Sequence, residues 1–179
     1  MLRPFRVRDL EDLAAIEADP EVTYFRGIRP QTPAESLASL RRTFARRRER
    51  MRKMMNWCVC LASDQTFLGC TMLRVLNRDW QELEVGYCFA KAAWGQGYGT
   101  EATRATLDFA FQQLEAHRVI ANCYPENKGS RRLLEKLRFR EEAYQVESYF
   151  EHGAWQDNVQ YAVLAREWVS YRSPLPAKG

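Results

Sequence analysis

The sequence predicts a mixed α/β domain of the α+β kind, in which antiparallel strands come first and a single parallel crossover comes later. Three observations carry that expectation. Three β-prone runs, 56–62, 67–76 and 82–89, follow one another closely. An amphipathic stretch, 99–114, then separates run 82–89 from run 118–124, which makes one βαβ unit and therefore a parallel pair. Two long runs, 139–150 and 154–165, flank Glu151-His152-Gly153 as a closing hairpin.

Taken in order, residues 2–7 read as a short strand. Leu10, Leu13 and Ala14 recur at helical spacing behind Asp9, the expected N-cap, and Asp19-Pro20 ends that helix. Thr32-Pro33-Ala34-Glu35 has the form of a capping box, with Thr32 at the cap, Pro33 at the first helical position and Glu35 at the third. Leu37, Leu40 and Phe44 give this second helix a buried stripe, and it runs through Arg46-Arg47-Arg48-Glu49-Arg50 to fade near Met54. Ser63-Asp64-Gln65-Thr66 turns between the first two long strands. Leu107, Ala110, Phe111 and Leu114 lay the crossover helix on the sheet. A short helix at 127–137 has Leu133, Leu134 and Leu137 as its apolar side.

Composition narrows the class. The chain has 179 residues, 46% hydrophobic and 28% charged, which fits one globular domain, 1–170, with a flexible tail at 171–179. No apolar run approaches the ~18 residues of a membrane span, and Met1-Leu2-Arg3-Pro4 has no signal-peptide character. Cys58, Cys60, Cys70, Cys88 and Cys123 are odd in number and scattered, the pattern of free thiols in a reducing cytoplasm. With His117 and His152 the only histidines, and no CxxC or HExxH spacing, no metal site is expected. Residues 1–53 hold 13 Lys/Arg against 8 Asp/Glu, and 54–179 hold 14 against 15. The excess lies in Arg41, Arg42, Arg46, Arg47, Arg48, Arg50, Arg52 and Lys53. It reads either as a solvated helix end or as a docking face for ribosomal RNA or an acidic protein surface.

Trp94-Gly95-Gln96-Gly97-Tyr98-Gly99-Thr100-Glu101-Ala102 is the most informative segment. Three alternating glycines lead straight into a helix, where free N–H groups and the positive dipole end make an anion site. A Walker A loop needs a following Gly-Lys-Ser/Thr, which is absent. The dinucleotide fingerprint is met by Gly97, Gly99 and Ala102. However, residues 90–94 part the glycine loop from its strand, and the second βαβ repeat is missing. A pyrophosphate loop for coenzyme A remains, beside a glycine turn with no ligand.

The sequence resembles the GNAT N-acetyltransferase superfamily, and within it the Rim-type (RimJ/RimL-like) ribosomal-protein N-terminal acetyltransferases. The resemblance rests on three stretches: Glu84-Val85-Gly86-Tyr87 leading to the glycine loop, Asn127-Lys128-Gly129-Ser130 running to Glu135-Lys136-Leu137-Arg138-Phe139, and Gly153-Ala154-Trp155-Gln156-Asp157 followed by Tyr161 and Glu167-Trp168. It implies a mostly antiparallel sheet of about seven strands with a splayed parallel pair. It also implies acetyl-CoA as co-substrate without a metal, and an amine acceptor, either a protein N-terminus or a small amine such as a polyamine or aminoglycoside. A non-catalytic CoA-binding module is a further alternative. Monomer and homodimer are both open.

Site residues follow from the resemblance. Gly95, Gln96, Gly97, Tyr98, Gly99 and Thr100 would bind the pyrophosphate, and the edge of Tyr87, Cys88 and Phe89 the pantetheine amides, beside a bulge at Gly86. Glu84 would be the general base, with Glu82 as the spare on the same nominal face. The Phe89 N–H would serve the oxyanion, Asn127 the pantetheine or its loop, and Ser130 the leaving sulfur. Many relatives place a tyrosine acid at the position of Leu134, and most have glycine at that of Arg138. Asn127 and Ser130 read equally as helix caps. Cys88 and Cys123 read as small buried hydrophobes, which suits direct attack by the amine. Trp155, Asp157 and Tyr161 share a strand face and read as core.

Overall fold

A computed structural model describes residues 1–27, 32–45 and 53–172. Its strands are β1 (Leu2–Arg3), β2 (Met54–Cys60), β3 (Phe67–Asn77), β4 (Glu82–Phe89), β5 (Arg118–Cys123), β6 (Arg140–Glu151) and β7 (Ala154–Leu164). Its α-helices are α1 (Asp9–Ala18), α2 (Pro20–Tyr24), α3 (Pro33–Ala45), α4 (Tyr98–Gln113), α5 (Lys128–Lys136) and α6 (Ala165–Arg172). The strands form one sheet in the order β1-β2-β3-β4-β5-β7-β6, antiparallel except for β4 and β5. The mixed α/β class and the parallel pair expected from sequence are both present.

Strand alternation divides the sheet into two working faces. Leu73, Leu83, Val85, Val119, Val159 and Val163 pack with Leu107, Leu134 and Trp168 from α4, α5 and α6. Each fully buried Leu in this layer contributes about 2 kcal/mol of transfer free energy. Cys58 and Cys60 face the other way, against Phe5 and Leu13, while Cys88 meets Ile16 and Val22.

Several local expectations are corrected. β1 stops at Arg3 because Pro4 has no N–H for the ladder. Helix α1 begins at Asp9 itself, whose carboxylate accepts the Arg6 N–H at 2.6 Å and hydrogen bonds from both terminal Arg3 guanidinium nitrogens at 2.6 and 2.7 Å. Asp19-Pro20 ends α1 and also starts α2, with Asp19 Oδ1 accepting the Glu21 N–H at 2.9 Å. The box at Thr32 and Glu35 is reciprocal, Thr32 N–H to Glu35 Oε2 at 2.9 Å and Glu35 N–H to Thr32 Oγ1 at 3.3 Å. Arg46–Arg52 and the Phe44 side chain lie outside the described residues. Helix α6 runs to Arg172, and residues 173–179 lie outside the described residues.

No bulge occurs at Gly86 in the β3–β4 ladder. Pairing runs evenly from Gly69↔Phe89 to Val75↔Leu83, and the irregularity sits on β3 between Val75 and Asn77. Arg138, by contrast, takes the left-handed position that glycine usually fills, with φ +63. Phe139 N–H reaches Leu134 O and Arg138 N–H reaches Glu135 O, both at 3.0 Å, which closes α5 in a Schellman motif.

Candidate active site

The parallel pair separates almost at once. β4 and β5 are in register only from Glu82↔Arg118 to Glu84↔Ile120, and residues 85–89 of β4 keep a ladder partner only in β3. Ala90 N–H bonds Leu68 O on β3, so alternation turns the backbone groups of Phe89, Tyr87 and Val85 to the opposite edge. That edge opens into a cleft of about 590 Å³ lined by Tyr87, Cys88, Phe89, the glycine segment, the start of α5, and Val22, Phe25 and Arg26. Trp94 Nε1 donates to Phe89 O at 2.9 Å and ties the glycine segment to the end of β4.

Gly95 (φ +73) and Gly97 (φ +88) hold the left-handed conformation, and a Cβ at either would meet nothing within 4 Å. Gly97 is the N-cap of α4 without a side-chain cap, so the amides of the first turn point outward unpaired by the helix. Gly99 is there for closeness, because a Cβ would lie 3.1 Å from Leu133 Cδ1 of α5. Gly95, Gly97, Gly99 and Thr100 line the cleft. Gln96 and Tyr98 do not. The Gln96 amide turns back to Ala92 O at 2.5 Å, and Tyr98 packs beside Val59, Leu68 and Phe89. The arrangement suits an anion held by backbone dipoles.

Across the cleft, Asn127 Oδ1 accepts the Ser130 N–H at 3.0 Å and so caps α5. Ser130 is 9% exposed, and its hydroxyl stands 2.6 Å from the Tyr87 hydroxyl. Burial holds the Tyr87 phenol well above its ordinary range, so it stays protonated. Sequence reasoning read Tyr87 only as a backbone contact and missed this pair. It also missed Val22, Phe25 and Arg26, and Lys128, Arg132 and Lys136 on the α5 wall. The spacing of those last three was readable in the sequence.

Glu84 is not brought into the cleft lining. It is 8% exposed at the apex of the splay, ion-paired with Arg74, and its Oε1 accepts Asn122 Nδ2 at 3.0 Å. Asn158 Nδ2 continues the chain to Asn122 Oδ1 at 3.0 Å and to Gln145 Oε1 at 2.8 Å. Glu82 is occupied by Arg118 at 3.0 Å. Of the three hairpin residues, only Tyr161 is core, at 2% exposure. Trp155 is 58% exposed on Phe150, and Asp157 accepts the Tyr144 hydroxyl at 2.6 Å, because the hairpin outruns the helical layer.

Side chains also tie α2 to the β6–β7 turn, with Glu126 of the cleft lining among them. His152 stacks on Tyr24 with centroids 4.9 Å apart, and the Tyr24 hydroxyl donates to Glu126 Oε1 at 3.1 Å. Tyr124 donates to Glu151, whose carboxylate lies against Gly27; a Cβ there would sit 2.1 Å from Oε2. Burial raises Cys88, Cys123 and Cys70, and pushes Cys58 up to about 12, so none is a ready nucleophile. Among the described residues no cluster suits a metal ion, and no helix is long and apolar enough to cross a membrane.

Comparison with known proteins agrees with this geometry. Residues 1–140 match the acetyltransferase (GNAT) domain model. The chain is 30% identical over 168 residues to the probable N-acetyltransferase YjcK of Bacillus subtilis (strain 168), covering 91% of this chain and 92% of that protein. It is 32% identical over 98 residues to the [ribosomal protein uS5]-alanine N-acetyltransferase of Escherichia coli (strain K12), covering 55% and 50%. Its fold superposes on Vibrio cholerae spermidine N-acetyltransferase in complex with CoA and spermine with a TM-score of 0.84 at 21% identity, covering 94% and 97%. The protein is thus an acetyl-CoA-dependent N-acetyltransferase. It belongs to the GNAT acetyltransferase family.

Proposed function

We propose that the acceptor is a protein N-terminal α-amine. The observation that carries this reading is the position of Glu84, tied to Arg74 and Asn122 and outside the cleft lining. The attacking nitrogen must be neutral. About a tenth of an α-amine of pKa near 8 is neutral at pH 7, against about one part in 2,500 of an amine near 10.4. A site whose nearest β4 carboxylate acts only at a distance favours the acceptor that needs least help. The match to the uS5-alanine enzyme supports the same class. Arg41, Arg42 and Lys53, the cations of the basic stretch that lie among the described residues, are exposed, which suits docking to an acidic partner.

In this reading the glycine-segment amides hold the coenzyme diphosphate, and the Tyr87–Phe89 edge holds the pantetheine amides. Acetyl-CoA supplies an activated thioester. The Phe89 N–H, turned to the cleft, faces the carbonyl oxygen as negative charge develops. A C–N bond forms, the C–S bond breaks, and the amine proton leaves through water towards Glu84. With Tyr87 donating to Ser130, the Ser130 hydroxyl is free to donate a hydrogen bond to the departing thiolate, which then takes its proton from water. The phenol that relatives place at the position of Leu134 here arrives from β4.

The test is chromatographic detection of CoA released with N-terminal peptides of ribosomal proteins, polyamines, aminoglycosides and free amino acids. Turnover with peptides is expected; turnover with spermidine alone overturns the acceptor class. Tyr87→Phe should lower kcat about tenfold with KM for acetyl-CoA held, and Glu84→Gln should do the same. Unchanged kcat removes the residue from the mechanism.

A further inference from the structure

We propose that Lys128, Arg132 and Lys136 form a second anion subsite opposite the glycine segment, which takes the 3′-phosphate monoester of the coenzyme. The proposal rests on the acetyl-CoA reading of the cleft. The three residues are four apart on α5, so they form one stripe along the helix. All three are exposed and line the cleft. Arg131 differs from them. It turns to the other side, donating to the Tyr161 hydroxyl at 3.0 Å and to Glu141 at 3.2 Å. Among the described residues, neither Lys128 nor Arg132 has an ion-pair partner.

Position and charge then point to the ligand group. Leu133, next to Arg132, is the side chain that a Cβ on Gly99 would meet at 3.1 Å, so the middle of α5 lies against the glycine segment. The acyl end of the cleft, where Ser130 meets Tyr87, is a turn away. The segment from Ala92 to Thr103 contains no Lys or Arg and carries Glu101 in its first helical turn. It therefore offers dipoles without formal positive charge. A diphosphate alone is served by such dipoles. A phosphate monoester adds about −1.5 to −2 near neutral pH and calls for cations. Arg26, a further cation of the lining, is held by Glu17, so the α5 stripe is where the cleft supplies them.

Calorimetric titration of the full chain with CoA and with 3′-dephospho-CoA, at low ionic strength, tests this. CoA should bind about tenfold tighter, and added salt should narrow the gap. In the Arg132→Gln/Lys136→Gln double variant, CoA affinity should fall to the dephospho level while dephospho-CoA binds as before. Charge reversal, Arg132→Glu/Lys136→Glu, should place CoA below dephospho-CoA. Equal affinities in the unaltered protein overturn the subsite, as does an equal loss for both ligands in the variants. Failure of both ligands to bind at all would instead remove the acetyl-CoA reading of the cleft.

Discussion

Where Gly95 and Gly97 shape the entry to α4, the backbone does the work and no side chain caps the helix. Among the N-terminal helices, and from them to the rest of the molecule, polar side chains make the ties. Arg3 holds Asp9, Glu17 takes Arg26 at 2.7 Å and also the Ser36 hydroxyl, and Tyr24 reaches Glu126 across 102 residues of sequence. The glycine segment asks for particular backbone angles, which few residue types provide. The N-terminal helices ask only that partners meet, which many residue pairs satisfy. One region therefore tolerates little change of residue type, whereas the other is free to be rewired.

The contrast can be broken or sharpened by substitution. Asp9→Ala leaves the Arg3 guanidinium, 8% exposed, without its partner. The expected loss is about 3–5 kcal/mol, or roughly 10 °C in Tm, with much of it regained when Arg3→Met is combined with Asp9→Leu. A melt within a degree of the parent would show that this side does not depend on its pairs. The same pair sets an acid limit. Hydrogen bonds from Arg3 hold the Asp9 carboxyl below its ordinary value, so its contribution is present above about pH 4 and fades as pH falls further. Asp9→Asn should flatten that part of a urea-midpoint profile.

Gly97→Val forces a β-branched residue to φ +88. The strain is about 1–2 kcal/mol, and the KM for acetyl-CoA should rise about tenfold through the displaced amides. An unchanged KM would deny the backbone its role. Arg138→Gly works in the opposite direction. Removing a side chain from φ +63 should stabilise α5 by about 1 kcal/mol and raise Tm by a few degrees; a fall in scanning calorimetry would mean that Arg138 makes good its strain through its own contacts. Cys88→Ala, smallest of all, should leave turnover within about twofold, since direct attack needs no thiol. Near-total loss with an intact fold would overturn that mechanism.

The same division explains what could be read in advance. The glycine segment, the capping box at Thr32 and Glu35, and the crossover helix carry their demands in residue type and spacing, so strands β2 to β7 and α4 were legible. Helix α2 was not, because it is five residues long and Pro20 reads as a stop before it reads as a first helical position. The Tyr87–Ser130 pair joins residues 43 apart, which no local pattern encodes. Glu84 was legible as a carboxylate in an apolar strand, but its ties to Arg74 and Asn122 depend on the neighbours that β4 meets on either side. Alternation placed Trp155 with Tyr161 on one face, yet could not tell that the helical layer ends before reaching it.

Cys58, Cys70 and Cys88 stand side by side on three consecutive strands, with Cys70 directly opposite both of the others. Cys58 and Cys88 are buried and Cys70 is half-buried, which turns the sheet into its own clock. A thiol-reactive dye added to folded protein should meet almost no competing thiolate, so it can follow released CoA directly. Over longer times the same dye should advance only as fast as the strands separate, and the half-time of labelling then measures how often the centre of the sheet comes apart. Cys88, the one thiol of the three in the cleft lining, should be the site whose labelling acetyl-CoA slows most.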